Sequence, residues 1–289
     1  MKVIRSAHLL RDALHGPRHA SHTIALVPTM GAYHEGHLSL IREAKLEHHQ
    51  VVVSLFVNPT QFNDPEDLER YPRDPVGDME KAEQAGCDIL FMPEVEEIYP
   101  PGFDTKVVVG RVAEPFEGAH RPGHFEGVAT VVTKLFNIVQ PHTAYFGLKD
   151  YQQTVVVRRL VADLDLDVEI VTLPTVREAD GLAMSSRNQR LSPEGRRRAP
   201  ALYRVLCATR DRLLAAAPGE PAAPALEAGR AELEAAGLAV EYLAAAHPET
   251  LEPVERAGEE AVLLAAVVCD GVRLIDNVAV ERPRHGEGG

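Results

Sequence analysis

The sequence predicts an α/β fold, a doubly wound parallel sheet, followed by a smaller C-terminal α+β domain. Three observations carry this. Short apolar, β-branched runs at residues 24–27, 50–57, 87–92, 144–147 and 168–173 alternate with stretches of helical period, as strands buried on both faces of a parallel sheet do. After Thr175 the composition turns to Ala, Leu and Arg. Two long apolar runs near the end are joined by Asp270-Gly271, a type I′ hairpin signal, and an antiparallel hairpin cannot belong to the parallel winding. The expected domains are residues 1–175 and 176–289.

The chain has 289 residues, enough for a larger and a smaller core, and 45% of them are hydrophobic, which excludes a disordered chain. A formal net charge of −13 argues against a general nucleic-acid or membrane-surface binder. Cys87, Cys207 and Cys269 are odd in number and outside any CxxC spacing, so neither a disulfide framework nor a zinc site is expected. No apolar stretch approaches a membrane span, and the expectation is a soluble protein of the cytoplasm with reduced thiols.

In chain order, the run IALV at 24–27 reads as a buried strand ended by Pro28, and Gly31 turns the chain. Leu38, Ile41 and Lys45 then recur at helical spacing, so a helix starts near Glu35 with free N–H groups that favour an anion, phosphate above all. His34 and His37 sit at that start, three apart and on one side of it, with Gly36 between them to let a flat ring or ribose approach the backbone. The spacing is wrong for the HExxH zinc helix, and no GxxxxGK[ST] loop is present.

The second strand, 50–57, ends at Asn58-Pro59, which makes Asn58 and Gln61 candidate contacts at the carboxyl end of the sheet; the alternative for Asn58 is a plain Asn-Pro turn. Residues 63–75 read as a mobile loop with a short helix, 77–86 as a surface helix, 87–92 as the third strand and 106–109 as a further short strand. Glu117, Arg121 and His124 fall in a loop punctuated by Gly and Pro, where His124 either anchors the loop or touches a phosphate. Val128, Val131, Val132, Leu135, Phe136 and Val139 mark a buried helix stopped by Pro141.

LKDYQQ follows the fourth strand, 144–147, at the relative place PTMG holds after the first, which suggests one shared crevice with Lys149 as its candidate cation; the alternative for Lys149 is a solvent-facing lysine. A helix over 151–164 and a strand over 168–173 complete the alternation. Beyond it come a loop at 181–188 with Ser185, Ser186 and Arg187 suited to phosphate oxygens, an N-cap at Ser192-Pro193, and a long helix to about Ala217 that Pro200 should kink or delay. A linker at 215–225, a strand at 240–244, the terminal hairpin and a disordered HGEGG tail end the chain.

PTMGAYHEGH is similar to the HxGH signature of the nucleotidyltransferase superfamily, and in its PTMG form it resembles the pantothenate synthetase family. FVNPTQF, YPRD, HRPGHFEGV, FGLKDYQQ and PTVREADGLAMSSRN agree in that family's order, over nearly the whole chain. The resemblance implies a Rossmann-like domain and a small domain closing over the active site. It implies ATP-dependent ligation of pantoate and β-alanine to pantothenate, a coenzyme A precursor, through a pantoyl adenylate, with Mg²⁺ on the phosphates and a homodimer. By motif, Met30, Gly31, Ala32, Tyr33, His34, Glu35, Gly36 and His37 would bind ATP, with His37 proton-donating and His34 beside it. Gly147, Leu148, Lys149 and Asp150 would join them, Lys149 on phosphate and Asp150 on ribose. Val176, Met184, Ser185, Ser186 and Arg187 would complete the nucleotide site, Gln61 and Gln153 would hold pantoate and admit β-alanine, and Asn58 would support them. The resemblance assigns no residue of this chain to the metal. Leu148 stands where the family has Glu or Gln, Tyr33 where Leu is commoner, and Pro200 in a helix otherwise free of proline. The alternatives are another HxGH nucleotidyltransferase and a non-catalytic nucleotide sensor.

Overall fold

The computed structural model describes residues 1–281; the HGEGG tail lies outside the described residues. The chain divides into two compact units, Met1–Val176 with Met184–Ser186, and Arg177–Ala183 with Arg187–Gly289. Three residues of the serine-arginine loop thus group with the larger unit, and Arg187 with the smaller.

The larger unit runs β1 (Lys2–Ile4), α1 (Ala7–His19), β2 (Ile24–Thr29), α2 (Glu35–Glu47), β3 (Gln50–Leu55), α3 (Pro65–Glu69), α4 (Pro75–Ala85), β4 (Ile89–Phe91), α5 (Val95–Ile98), α6 (Glu117–His120), α7 (His124–Val139), β5 (Thr143–Gly147), α8 (Tyr151–Asp163) and β6 (Glu169–Leu173). Its six strands lie in the order β1-β4-β3-β2-β5-β6, every pair parallel. From β2 the chain winds outward one way to β3 and β4, then returns to β5 on the other side. The switch point therefore falls between β2 and β5, where open α/β sheets bind ligands. PTMG and LKD are the stretches that leave those two strands.

Ala25, Val27, Val51, Val53, Leu90 and Tyr145 of the sheet pack with Leu40, Ile41 and Ala44 of α2 and Ala82 of α4. Burying such a side chain is worth about 1.5–3 kcal/mol, which is why these runs read so clearly as strands.

The smaller unit contains α9 (Pro193–Arg198), α10 (Ala201–Ala215), α11 (Ala223–Ala235) and an antiparallel sheet of β7 (Ala239–Ala246), β8 (Ala261–Cys269) and β9 (Val272–Val280) in that order. Leu202, Leu206, Leu213 and Leu233 of the helices pack on Leu263, Val267 and Leu274 of the sheet. Pro200 breaks the expected long helix into α9 and α10, and Ser192 caps α9 by accepting from the Gly195 amide at 2.9 Å. Asp270 and Gly271 have φ of 49° and 76°, as a type I′ turn requires. Arg177 pairs with Asp276 through two bonds of 2.6 and 2.9 Å, lies 3.6 Å over the Tyr203 ring, and so holds the 177–183 segment in this unit.

Three local expectations are corrected, and two elements were not expected at all. The strand β1 and the helix α1 escape the sequence pattern, because β1 is three half-exposed edge residues and α1 buries only Leu10 and Leu14. Residues 106–109 form no strand; the Val107 amide donates to Thr130 Oγ1 at 3.0 Å on α7 rather than to a sheet. Residues 117–124 are a loop only in part: Glu117 opens α6 and His124 opens α7, with the turn at 121–123, which holds Arg121, between them. The helix expected at 77–86 starts at Pro75 and is not merely a surface element, since it buries Asp78.

Candidate active site

At the end of β2 the chain turns through two successive left-handed residues, Gly31 (φ 85°) and Ala32 (φ 53°). The second is strained for a residue with a Cβ. His34 is the extended N-cap of α2 and His37 its third residue. The His34 Nδ1 accepts from the Gly36 amide at 3.2 Å, and the His37 Nδ1 receives the His34 amide at 3.5 Å. The two rings lie 4.2 Å apart. A Cβ on Gly36 would fall 3.0 Å from His34 Cε1 and Nδ1, so the flat ring for which that glycine makes room is the protein's own.

Because each Nδ1 faces a backbone donor, each neutral ring carries its hydrogen on Nε2. The rings are neutral: burial first, then Lys149, lowers the His34 pKa to about 4, and burial, His34 and Lys149 lower that of His37 to about 3. The pair therefore offers two N–H donors in the field of Lys149, to which Lys81 adds at His34. Lys149 sits in the turn Leu148–Asp150 after β5, its Nζ 3.8 Å from Asp150 Oδ1, and its side chain is 19% exposed against 50% for Asp150.

The expected row of free amides is corrected. Those of Ala32 and Tyr33 each donate at 2.7 Å to the Asp78 carboxylate, that of Gly36 to His34, and that of His37 to the His34 carbonyl at 2.9 Å. Imidazole N–H groups and Lys149 replace them as donors for an anion.

Past β3, Asn58 is 1% exposed and fully engaged. Its Nδ2 donates to Gln61 Oε1 at 3.0 Å and to the Gly127 carbonyl at 3.1 Å; its Oδ1 accepts from Tyr99 OH at 2.8 Å and Thr60 Oγ1 at 2.9 Å. It is thus more than a turn residue. Gln61, with its Oε1 held, directs Nε2 at Met30 Sδ at 3.2 Å, a weak acceptor that a better one would displace. Its carbonyl accepts from His124 Nδ1 at 2.8 Å and Arg121 Nη2 at 3.4 Å. His124, 6% exposed, is an anchor in this structure; its Nε2 faces Arg121 Nη1 at 3.2 Å, and burial followed by Arg121 depresses its pKa to about 4.

Of the two glutamines opening α8, Gln152 is buried and spent on the Glu117 amide and on the Val112 and Pro115 carbonyls. Gln153 is half-buried and, among the described residues, its side chain has no hydrogen-bond partner. Val176 stands 4.0 Å from where a Gly36 Cβ would be, and its carbonyl accepts from the Met184 amide at 3.0 Å. Ser186 is 6% exposed in the same unit. Tyr33 is core, 4% exposed, its hydroxyl bonded to Thr29 at 3.0 Å. Sequence reasoning missed Asp78, Lys81, Tyr99 and Gln152; only Gln152, beside Gln153 in YQQ, had a local cue. Among the described residues no group of three or more His, Cys, Asp or Glu side chains could hold a metal ion.

The histidine pair and Lys149 gather donors suited to an anion, and the uncharged amide of Gln61 lies against Met30. A family model described as pantoate-beta-alanine ligase matches residues 2–279. The chain is 52% identical to the pantothenate synthetase of Cereibacter sphaeroides over 96% of its length and 99% of that protein, and 52% identical to that of Chloroflexus aurantiacus over the whole of both. Among solved structures it is similar to the pantothenate synthetase of Thermus thermophilus, with a TM-score of 0.91 at 50% identity over 98% of this chain and 100% of that one. It is also similar to the pantoate-beta-alanine ligase of Francisella tularensis complexed with beta-gamma ATP and beta-alanine, with a TM-score of 0.82 at 33% identity over 98% and 99%. The histidine pair, the amide cluster and these full-length matches agree, and the chain belongs to the pantoate–β-alanine ligase family.

Proposed function

We propose that this protein joins pantoate to β-alanine at the expense of ATP, through a pantoyl adenylate. The observation that carries the reading is the neutral His34–His37 pair, its Nδ1 atoms turned to backbone amides, in the field of Lys149. In the first step a pantoate carboxylate oxygen attacks the α-phosphorus, the bridging P–O bond breaks, and pyrophosphate leaves with the electron pair. In the second the β-alanine amine attacks the acyl carbon, loses a proton, and AMP departs with the C–O electrons.

The developing charge on the phosphates is met by the two Nε2–H donors and Lys149; removing one such donor costs about 2.7–4 kcal/mol of barrier in comparable sites. His37, with a pKa near 3, serves as a hydrogen-bond donor rather than a reservoir of a transferable proton. Gln61 Nε2 and the open amide of Gln153 bind the acid, and an uncharged amide leaves its carboxylate nucleophilic. The stretch from Met30 to His37 with Gly147, Leu148, Asp150, Val176, Met184, Ser185 and Ser186 takes the nucleotide, and Asn58 holds Gln61. Mg²⁺ would enter with the nucleotide, where it would neutralise phosphate charge. The same reading has a homodimer working in the cytoplasm.

Pantoate labelled with oxygen-18 in its carboxylate tests the chemistry. One labelled oxygen should appear in AMP, and labelled pyrophosphate should exchange into ATP when pantoate is present and β-alanine absent. Label in inorganic phosphate, with ADP as the nucleotide product, would overturn the proposal.

A further inference from the structure

Asp78 lies on α4, 45 and 46 residues from the loop it grips, and is 1% exposed. Its two carboxylate oxygens take one amide each, Oδ2 that of Ala32 and Oδ1 that of Tyr33, both at 2.7 Å. One helical turn further, Lys81 Nζ donates to the Tyr33 carbonyl at 3.2 Å. Tyr33 is therefore held at its amide, its carbonyl and, through Thr29, its hydroxyl. The next residue is His34, which holds the Gly36 amide on its own ring and presents its amide to His37.

A carboxylate closing on two adjacent amides demands that both point one way, and that is what the left-handed Gly31-Ala32 pair achieves. The fit is close enough that a Cβ on Gly31 would fall 2.8 Å from Asp78 Oδ2. The Asp74 side chain caps the same helix by accepting the Gly77 amide at 3.0 Å, which gives the YPRD stretch its purpose: it starts the helix one turn before the residue that grips the loop.

We propose that Asp78 is a positioning residue for the reaction, its bidentate grip on the Ala32 and Tyr33 amides fixing where the His34 and His37 rings stand. This rests on the function proposed above. Displacing a reacting group by about 1 Å commonly costs around 10²-fold in rate, so the effect belongs in turnover rather than in substrate affinity.

The test is Asp78→Asn. Its Oδ1 can accept one amide, but its NH₂ must face the other, so one of the two bonds is lost at nearly constant volume. The expected result is a variant that melts cooperatively, with kcat down about tenfold or more. The KM values for pantoate and ATP should stay within about twofold, the Ala32 or Tyr33 amide should exchange faster, and the His34 and His37 ring resonances should shift. Unchanged kcat in the folded variant would overturn the proposal. So would a rise in KM at constant kcat, or a changed Mg²⁺ dependence in place of a lower kcat, either of which would make Asp78 a binding group. Should the parent protein form no AMP from pantoate, β-alanine and ATP, the functional reading falls separately. The ring resonances then decide the positioning alone: shifted in the variant they support it, unmoved they refute it. Should Asp78→Asn fail to fold, Gly31→Ala presses on the same carboxylate from the loop side and must shift the same resonances, or the idea falls.

Discussion

Acidification should cost the larger unit stability through His124, and the amount follows from its surroundings. Its Nδ1–H donates to the Gln61 carbonyl and its Nε2 accepts from Arg121, so a second ring proton would destroy an acceptor and set two cations 3.2 Å apart in a buried site. The folded pKa is about 4, against an ordinary 6.5. With the folded value depressed, the unfolded chain binds more protons between those two values. The stabilisation is whole above pH 6.5 and drains away as pH falls towards 4. At about 1.36 kcal/mol per pH unit, moving from pH 8 to pH 5 removes about 2 kcal/mol at this residue alone. Urea unfolding of the parent and of His124→Gln at both pH values isolates the contribution: the parent should lose about 2 kcal/mol more than the variant. Ring titration by NMR should place the His124 midpoint near 4. Parallel pH dependences, or a midpoint near 6.5, would refute the assignment of neutral, anchoring His124.

Two further outcomes are expected. His37→Ala and Lys149→Ala should each lower pyrophosphate release by about two to three powers of ten without changing the melting profile, as loss of a transition-state donor does; near-normal turnover would remove both from that role. Gly127→Ala should destabilise by about 1–3 kcal/mol and raise the KM for pantoate, because the new methyl would lie 2.4 Å from the Thr60 carbonyl oxygen and 2.6 Å from the Gln61 amide; normal affinity for pantoate would show that the Gln61 backbone absorbs the push.

The strands at 24–29, 50–55 and 143–147 were legible because each carries consecutive buried apolar residues, at 24–27, 51–53 and 144–146, as strands covered on both faces do. The histidine pair was legible for a different reason: HxGH is a local pattern, and its partners are its own backbone. Asp78 had no such advantage. Its role is set by amides 45 and 46 residues away, and nothing around GDME distinguishes a buried carboxylate from a solvent-facing one. The same applies to His124, whose burial decides between anchor and phosphate contact, and to Tyr99, whose hydroxyl finds Asn58 across 41 residues. Position in the sheet also escaped the sequence: β1 is three residues at an edge, too short and too exposed for periodicity to register.

The central place of β2 governs when the site can come into being. On one side it pairs with β3, Ile24 against Gln50, a partner available almost as soon as it is made; on the other it pairs with β5, Ala25 against Thr143, across more than a hundred intervening residues. Closing so long a loop is entropically costly, and parallel pairings of this kind are slow. During synthesis the histidine loop at the end of β2 is therefore among the earlier parts of the fold to be translated, yet the strand that carries Lys149 to it arrives only after α7. Until then β2 lacks its β5 partner, and the two imidazoles lack the ammonium of Lys149. Completion of the candidate site is thus a late event in the making of the chain, fixed by strand order.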